Sequence, residues 1–285
     1  FIARWTYWHA TGMPESFYAY PSDKIKYVGV LVSEVFQPVT PGLQEIYKTE
    51  VNVPKDAPLL LVTGGSLGAK RLNVAIKQLA EKLLVDYPTL HIIHQVGMGN
   101  ESLYGEIESE RLHIVEFMRN MYQYFGAADV VVTRAGASTL AELGVQGKAC
   151  IVVPNPLLTA GHQTKNAEYL ASKNAAIIVN ETAEATNTDE LNAAIRRLLD
   201  SPAERQALGS ALQLITIPDA GHNLAMVSQL CTRGVLLENG RVKMDGPIDA
   251  ILKEYLSQKA SSGVTRFPQR NDVPAQVTSV ALLDE

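Results

Sequence analysis

The chain has 285 residues, which predicts one or two domains with a sizeable hydrophobic core. Its formal net charge is −5 and its hydrophobic content is 46%, values typical of a soluble globular protein that does not bind nucleic acid. No apolar run approaches the ~20 residues of a transmembrane helix. Two distant cysteines, Cys150 and Cys231, give no disulfide pattern, and the apolar run around Cys150 predicts a core position. We therefore expect a cytosolic protein.

Residues 1–56 have little regular pattern, because prolines divide them into short pieces. Residues 26–30 predict a short strand, and residues 38–54 predict a connector with one or two helical turns. The chain begins at Phe1 rather than at a methionine, and no signal-peptide pattern follows. We interpret residues 1–56 as the remnant of an N-terminal domain with its connector.

The segment 59–73, LLLVTGGSLGAKRLN, predicts a buried strand, a tight turn and an amphipathic helix. Gly64 and Gly65 would let the backbone approach a ligand closely, while Ser66 and the first N–H groups of the helix could bind an anion. The spacing fits neither a Walker loop nor the Rossmann fingerprint. A phosphate site and a turn without a ligand therefore both remain open here.

From residue 57 to residue 220 the pattern predicts alternating strands and helices, and hence an α/β fold with a parallel sheet and helices on both faces. Further strands are expected at 90–95, 112–117, 129–133, 149–154 and 176–179. Helices are expected at 121–127, 138–145 and 163–173, followed by two more. The second of these begins with the capping box Ser201–Glu204.

Three loops, 63–68, 133–138 and 155–163, each follow a predicted buried strand and precede a predicted helix. We expect them to open on one edge of the sheet, where α/β proteins bind ligands. Gly136 gives a second glycine turn at a helix start, so the first two loops could form a cradle for a diphosphate.

Glu142 has two interpretations at this stage. With Thr139 it fits a capping box, in which its carboxylate would bond back to the helix start. A carboxylate near a ribose could instead accept hydrogen bonds from two hydroxyls. The pattern alone favours the cap.

Four motifs in order resemble the MurG family of bacterial glycosyltransferases: TGGSLGAKRLN, HQVGMGN, FMRNMYQYFGAADVVVTRAGASTLAEL and GHQTKNAEYL. The resemblance spans residues 27–220. It implies transfer of N-acetylglucosamine from UDP to undecaprenyl-diphospho-muramoyl-pentapeptide, at the cytoplasmic face of the membrane. It also implies a GT-B architecture, of which residues 57–220 form the Rossmann-like nucleotide-sugar-binding domain. UDP-N-acetylglucosamine is the implied partner, and neither a cofactor nor a metal is implied.

The resemblance also assigns roles to residues. Ser66 would contact the diphosphate, the backbone of Met118 would read the uracil, and Glu142 would bind the ribose, which reverses the preference for a cap. Gln163, with His162 beside it, would meet the sugar hydroxyls. The predicted binding set is Gly64, Gly65, Ser66, Met118, Gly136, Ala137, Ser138, Thr139, Leu140, Ala141, Glu142, His162 and Gln163.

The chain departs from the family pattern in two ways. Ser33 stands where the family has an arginine near the nucleotide. The N-terminal domain, with its acceptor surface and its candidate general base, has no counterpart in the sequence, so no catalytic residue is predicted. We expect donor binding with slow or absent transfer, and binding of a lipid-linked acceptor only if that domain is supplied.

Residues 221–256 resemble the end of an ABC transporter ATPase domain for polysaccharide export. They predict a helix, a hairpin at 235–242 with an Asn-Gly turn, and a last helix, which together form a small α+β tail up to residue 258. His222 matches a γ-phosphate sensor, but no Walker motif accompanies it. Residues 259–285 are expected to be mostly disordered, with one unpaired strand at 277–283.

Two alternatives to a glycosyltransferase therefore stay open. The tail alone favours an ATP-binding subunit of a polysaccharide exporter. A non-catalytic fragment that binds a sugar nucleotide would also fit the residues.

Overall fold

A computed structural model of the chain describes residues 9–65, 68–105, 107, 109–157, 161–217, 228, 231–238, 241–261, 264–266 and 279–281. The chain forms two compact units, residues 1–221 and residues 222–285. Among the described helices, none combines the length and the apolar character needed to cross a bilayer.

The first unit contains most of the regular structure. In chain order its elements are β1 (His9–Thr11), β2 (Ile25–Tyr27), α1 (Pro41–Glu50), β3 (Leu59–Thr63), α2 (Lys70–Asp86), β4 (His91–Gln95), β5 (Leu112–Val115), α3 (Met121–Ala127), β6 (Val130–Thr133), α4 (Ala137–Gln146), β7 (Cys150–Val152), α5 (His162–Ser172), β8 (Ile177–Ile178), α6 (Thr188–Asp200) and α7 (Pro202–Ile215).

Six strands form one parallel sheet in the order β5-β4-β3-β6-β7-β8. The chain runs outward from β3 through β4 to β5, and then returns to place β6 on the other side of β3. The strand order therefore reverses between β3 and β6, which is the place where open α/β sheets bind ligands. The predicted parallel α/β sheet is confirmed.

The sheet is covered on both faces, as its central strands require. Every residue of β3 is buried, and successive side chains point to opposite faces. Leu60 and Val62 lie in a cluster with apolar residues of α2 and α6. Leu59 and Leu61 lie in the other cluster, with residues of α3, α4 and α5. Cys150 is fully buried as predicted, and burial raises the pKa of its thiol to about 12.

The segment before the sheet is more regular than the sequence indicated. The predicted strand is present as β2, which pairs in parallel with β1. The predicted connector with one or two helical turns is corrected to the ten-residue helix α1, capped by Thr40. Tyr47 of α1 is buried and packs edge-on against Tyr122 of α3, with the two ring centroids 5.8 Å apart. The Thr40 cap and the contact with α3 both stabilise the helix.

The second unit contains a hairpin and a helix, as predicted. Strands β9 (Arg233–Glu238) and β10 (Arg241–Pro247) pair antiparallel, and α8 (Ile248–Ser261) follows. The Asn-Gly turn and His222 lie outside the described residues. The expected unpaired strand is corrected: β12 (Ser279–Ala281) pairs antiparallel with β11 (Val264–Arg266), so its backbone groups have partners.

Candidate functional site

The strands of the sheet end in register along one edge. Thr63 of β3 pairs with Gln95 of β4 and with Thr133 of β6, and Thr133 pairs with Val152 of β7. Neighbouring strands lie ~4.8 Å apart, so the loops after β3, β6 and β7 leave the sheet side by side. These are the three loops that the sequence placed together.

The loop after β3 favours glycine at three positions. A Cβ on Gly64 would lie 2.5 Å from the Cβ of Ala69, and one on Gly68 would lie 2.2 Å from the carbonyl oxygen of Val96. Gly65 adopts a φ of +84°, which favours glycine. Its N–H donates to the hydroxyl of Thr63 at 3.1 Å. Gly64 and Gly68 are therefore packed closely against neighbouring atoms, while Ser66 lies outside the described residues.

A buried histidine fixes the start of α2 against the loop after β4. Asn73 donates from Nδ2 to the carbonyl of Val96 at 2.8 Å, so its Oδ1 accepts from Nε2 of His94 at 3.1 Å. Nδ1 of His94 then accepts from the hydroxyl of Tyr104 at 2.6 Å. Burial lowers the pKa of His94 to about 3, which keeps the ring neutral. Sequence reasoning missed this role, although His94 begins the quoted motif HQVGMGN.

The helices at this edge differ from the others in how they begin. Helices α1, α6 and α7 are capped by the side chains of Thr40, Asn187 and Ser201. Among the described residues, no side chain caps α2, α3, α4 or α5. The N–H groups in a first helical turn have no partner within the helix, so they are open to a ligand or to water. Two of these helices, α2 and α4, flank the point where the strand order reverses.

Glu142 does not cap α4, and that interpretation is corrected. The helix begins at Ala137, so Thr139 already lies in its first turn and cannot be the capping residue. The partly buried carboxylate of Glu142 has no hydrogen-bond or ion-pair partner among the described residues, and burial raises its pKa to about 7. A carboxyl group that has no partner and whose pKa lies near neutral pH is typical of functional sites.

The rest of the second predicted loop also lies at this start. Gly136 is the residue before α4, and Ala137, Ser138 and Thr139 form its first turn. Leu140 and Ala141 turn inward and are buried, so only their backbone is near the edge.

The start of the third loop is hydrogen-bonded to the first turn of α5 through Gln163. The side-chain oxygen of Gln163 accepts from the N–H of Asn155 at 2.9 Å, which leaves its amide N–H groups free to donate to a ligand. His162, the first residue of α5, is exposed. Residues 158–160 lie outside the described part of the chain.

Met118 lies in the loop after β5, one strand beyond β4. Its side chain is buried in the core beneath the sheet, with 2% exposed. Only its backbone could therefore contact a ligand, which agrees with the kind of contact the resemblance implies. The role itself stays a prediction.

A cluster of charged side chains at this edge was missed by sequence reasoning. Glu181, after β8, is paired with Arg71 of α2 and with Arg134 after β6. The partners lie 110 and 47 positions away in the chain, so no local pattern connects them. Within the described residues, no group of three or more histidine, cysteine, aspartate or glutamate side chains could hold a metal ion.

The fold and its edge define a class of protein: a Rossmann-like α/β domain of the GT-B type. The crystal structure of Acinetobacter baumannii MurG is similar, with 27% sequence identity and a TM-score of 0.53 over 74% of this chain and 58% of that one.

The chain belongs to the family described as glycosyltransferase family 28 C-terminal domain, whose model matches residues 59–224. Two relatives are both UDP-N-acetylglucosamine–N-acetylmuramyl-(pentapeptide) pyrophosphoryl-undecaprenol N-acetylglucosamine transferases. The one from Salinibacter ruber is 37% identical over 176 residues, 61% of this chain and 46% of the relative. The one from Geobacter sp. is 32% identical over 236 residues, 81% of this chain and 61% of the relative. The chain thus spans about half the length of the curated relatives it matches.

The family match ends at residue 224, before the hairpin of the second unit. None of these similarities supports the resemblance of residues 221–256 to an ABC transporter ATPase, which stays a prediction.

Proposed function

We propose that the first unit binds UDP-N-acetylglucosamine at the edge of the sheet described above and forms the donor-binding part of an N-acetylglucosamine transferase. Family membership and the names of the relatives support the donor and the reaction. The observation that carries the proposal is the pair of helices α2 and α4, which lie on either side of the strand-order reversal and have no side-chain cap from any described residue.

The chemistry of a nucleotide diphosphate fits this arrangement. The N-terminus of a helix carries a partial positive charge and free N–H donors, both of which stabilise phosphate oxygens. The same donors would stabilise the charge that develops on the departing UDP when the bond to the sugar breaks. Ser66 would add a donor at the first loop, and Glu142 would accept from the ribose hydroxyls.

The acceptor side of the reaction is proposed to lie on another domain. The relatives act on a substrate linked to undecaprenol, which is a lipid, so the whole protein would work at a membrane surface. We propose the cytoplasmic face for that location. The resemblance places the general base on the N-terminal domain, so transfer should depend on that domain.

Calorimetric titration of the 285-residue chain with UDP-N-acetylglucosamine, and separately with ATP, tests the proposal. We expect binding of the UDP-sugar and no measurable binding of ATP. Ser66→Ala and Glu142→Ala should each weaken binding by ~1–3 kcal/mol, because each removes a hydrogen bond to a charged or buried partner. Glu81→Ala, at an exposed position of α2 far along the helix, is the matched control and should bind like the wild type. Binding of ATP alone would contradict the proposal.

A further inference from the structure

Three segments at the candidate edge meet at one buried carboxylate. The side chain of Glu181 is fully buried, and its two oxygens accept from three partners. Oε1 accepts from Nε of Arg71 at 2.7 Å. Oε2 accepts from Arg134 at 2.9 Å and from the hydroxyl of Thr186 at 2.5 Å. We call Glu181, Arg71, Arg134 and Thr186 the Glu181 cluster.

The cluster is well satisfied for a buried charge. Burial by itself would raise the pKa of Glu181, but the hydrogen bonds from Thr186, Arg134 and Arg71 outweigh it and hold the pKa below its usual value. Arg134 also donates to the carbonyl of Val153, which follows β7. A buried carboxylate between two arginines fixes both guanidinium planes, because a misplaced partner would leave an unpaired charge away from water.

Arg71 extends the cluster to the third loop. Its second terminal nitrogen donates to Oδ1 of Asn155 at 2.9 Å. That same oxygen accepts from the N–H of Leu157 at 3.0 Å, while the N–H of Asn155 donates to Oε1 of Gln163 at 2.9 Å. A continuous chain of hydrogen bonds thus runs from Glu181 through Arg71 and Asn155 to Gln163. The last hydrogen bond of this series, from Asn155 to Gln163, orients the Gln163 carboxamide.

We propose that Glu181 is a positioning residue for the sugar of the donor: through Arg71 and Asn155 it holds Gln163 with its amide N–H groups free to donate to a sugar hydroxyl. The inference rests on the proposed function, and deepens it by assigning the recognition of the sugar to residues outside the motif that contains Gln163. Loss of the cluster should leave the uridine and diphosphate contacts in place, while the discrimination between sugar epimers is lost.

The test compares two donors that differ only in the configuration of one hydroxyl, UDP-N-acetylglucosamine and UDP-N-acetylgalactosamine. Calorimetry on the full chain gives the Kd for UDP-N-acetylgalactosamine divided by the Kd for UDP-N-acetylglucosamine. General destabilisation of the fold does not change this ratio. We expect Glu181→Gln to lower this ratio about fivefold or more, the scale of one lost hydrogen bond, because the amide cannot accept from both arginines. Asn155→Ala should lower it equally. Asn155→Asp keeps the acceptor for Arg71 and Leu157, so its ratio should stay within about twofold of the wild type.

The matched control is Asp129→Asn at the opposite edge of the sheet. Asp129 pairs with the buried Lys48 at 2.8 Å and accepts from the N–H of Leu59, the first residue of β3. We expect this substitution to lower the Tm about as much as Glu181→Gln does, because each leaves buried cations without a carboxylate. The ratio of Kd values should stay unchanged in the control.

The outcomes are separable. An unchanged ratio in a folded Glu181→Gln variant, or an equal loss in Asp129→Asn, would overturn the inference. If Glu181→Gln does not fold, the Asn155 pair decides, and equal ratios in Asn155→Ala and Asn155→Asp would overturn it. A wild type that binds both donors equally would refute the sugar contact but support donor binding. A wild type that binds neither donor would refute the proposed function itself.

Discussion

Glu142 gives the site a dependence on pH that can be predicted in sign. Burial raises its pKa to about 7, so the carboxylate forms only near neutrality in the free protein. If the carboxylate accepts from the ribose, the affinity for UDP-N-acetylglucosamine should rise as the pH increases from about 6 to about 8. The diphosphate of this donor does not titrate in that range. Calorimetry at several pH values measures the effect.

Glu142→Gln provides the control for this prediction. The variant should bind more weakly at about pH 8 and should lose the pH dependence, because the amide does not titrate. The stability of the wild-type fold should depend on pH in the opposite sense to its affinity and fall as the pH rises. A raised carboxyl pKa stabilises the wild-type fold at low pH and loses that contribution as the pH rises through 7. The free energy of unfolding of the variant should therefore increase relative to that of the wild type between about pH 5 and pH 8. An equal pH dependence in both proteins would exclude Glu142 as the titrating group.

At the residue scale, the sequence predicted where the loop residues of the site lie better than it predicted which side chains they contact. The loops that carry Gly64, Gly136 and Gln163 lie at one edge as expected, because buried strands and glycine turns are local patterns. The Glu181 cluster could not be predicted, since Arg71 and Glu181 lie 110 positions apart and are brought together only by the folded sheet. The cap at Glu142 was wrong because α4 begins before Thr139.

At the scale of elements, the contact between α1 and α3 depends on one glycine. A Cβ on Gly126 would lie 2.2 Å from the ring of Tyr47, and the ring itself is buried. We expect Gly126→Ala to lower the free energy of unfolding by ~1–3 kcal/mol, the usual cost of overpacking. Chemical denaturation measures this value.

The control is Gly42→Ala in α1, where the added methyl group would meet no atom within 4 Å apart from its chain neighbours and the adjacent helix backbone. Alanine has the higher helix propensity, so this variant should be as stable as the wild type or more stable by up to ~1 kcal/mol. Equal destabilisation by the two substitutions would contradict the importance of the Tyr47 contact.

Element types were predicted well, but their ends and some of their partners were not. The strand expected at 112–117 ends at Val115, and the one expected at 149–154 covers only 150–152. Apolar residues also lie beyond the ends of these strands, Phe117 near the first and Ala149 and Val153 beside the second, and an apolar residue does not show where pairing stops. Helix α1 was underestimated, and no local pattern indicated its contact with the distant α3. The pairing of β11 with β12 joins segments with no common local signal.

At the scale of the whole molecule, the buried clusters around the sheet contain no residue beyond Ile215 in the part of the chain that the structure describes. We expect a chain shortened to residues 1–221 to bind UDP-N-acetylglucosamine within about twofold of the full chain. Its Tm should change by no more than about 3 °C. Calorimetry and thermal unfolding check both values. Loss of binding on removal of residues 222–285 would show that the second unit takes part in the site, and would leave the predicted division into domains in doubt.

The central claim is that the uncapped helix starts at the sheet edge bind the donor. Hydrogen exchange of the full chain, with and without UDP-N-acetylglucosamine, tests it most directly. Exchange should slow in the first turns of α2, α4 and α5, which lack side-chain caps among the described residues. It should stay unchanged in the first turns of α1 and α7, which Thr40 and Ser201 cap. Protection confined to α1 or α7, or binding without protection at α2 and α4, would contradict the account.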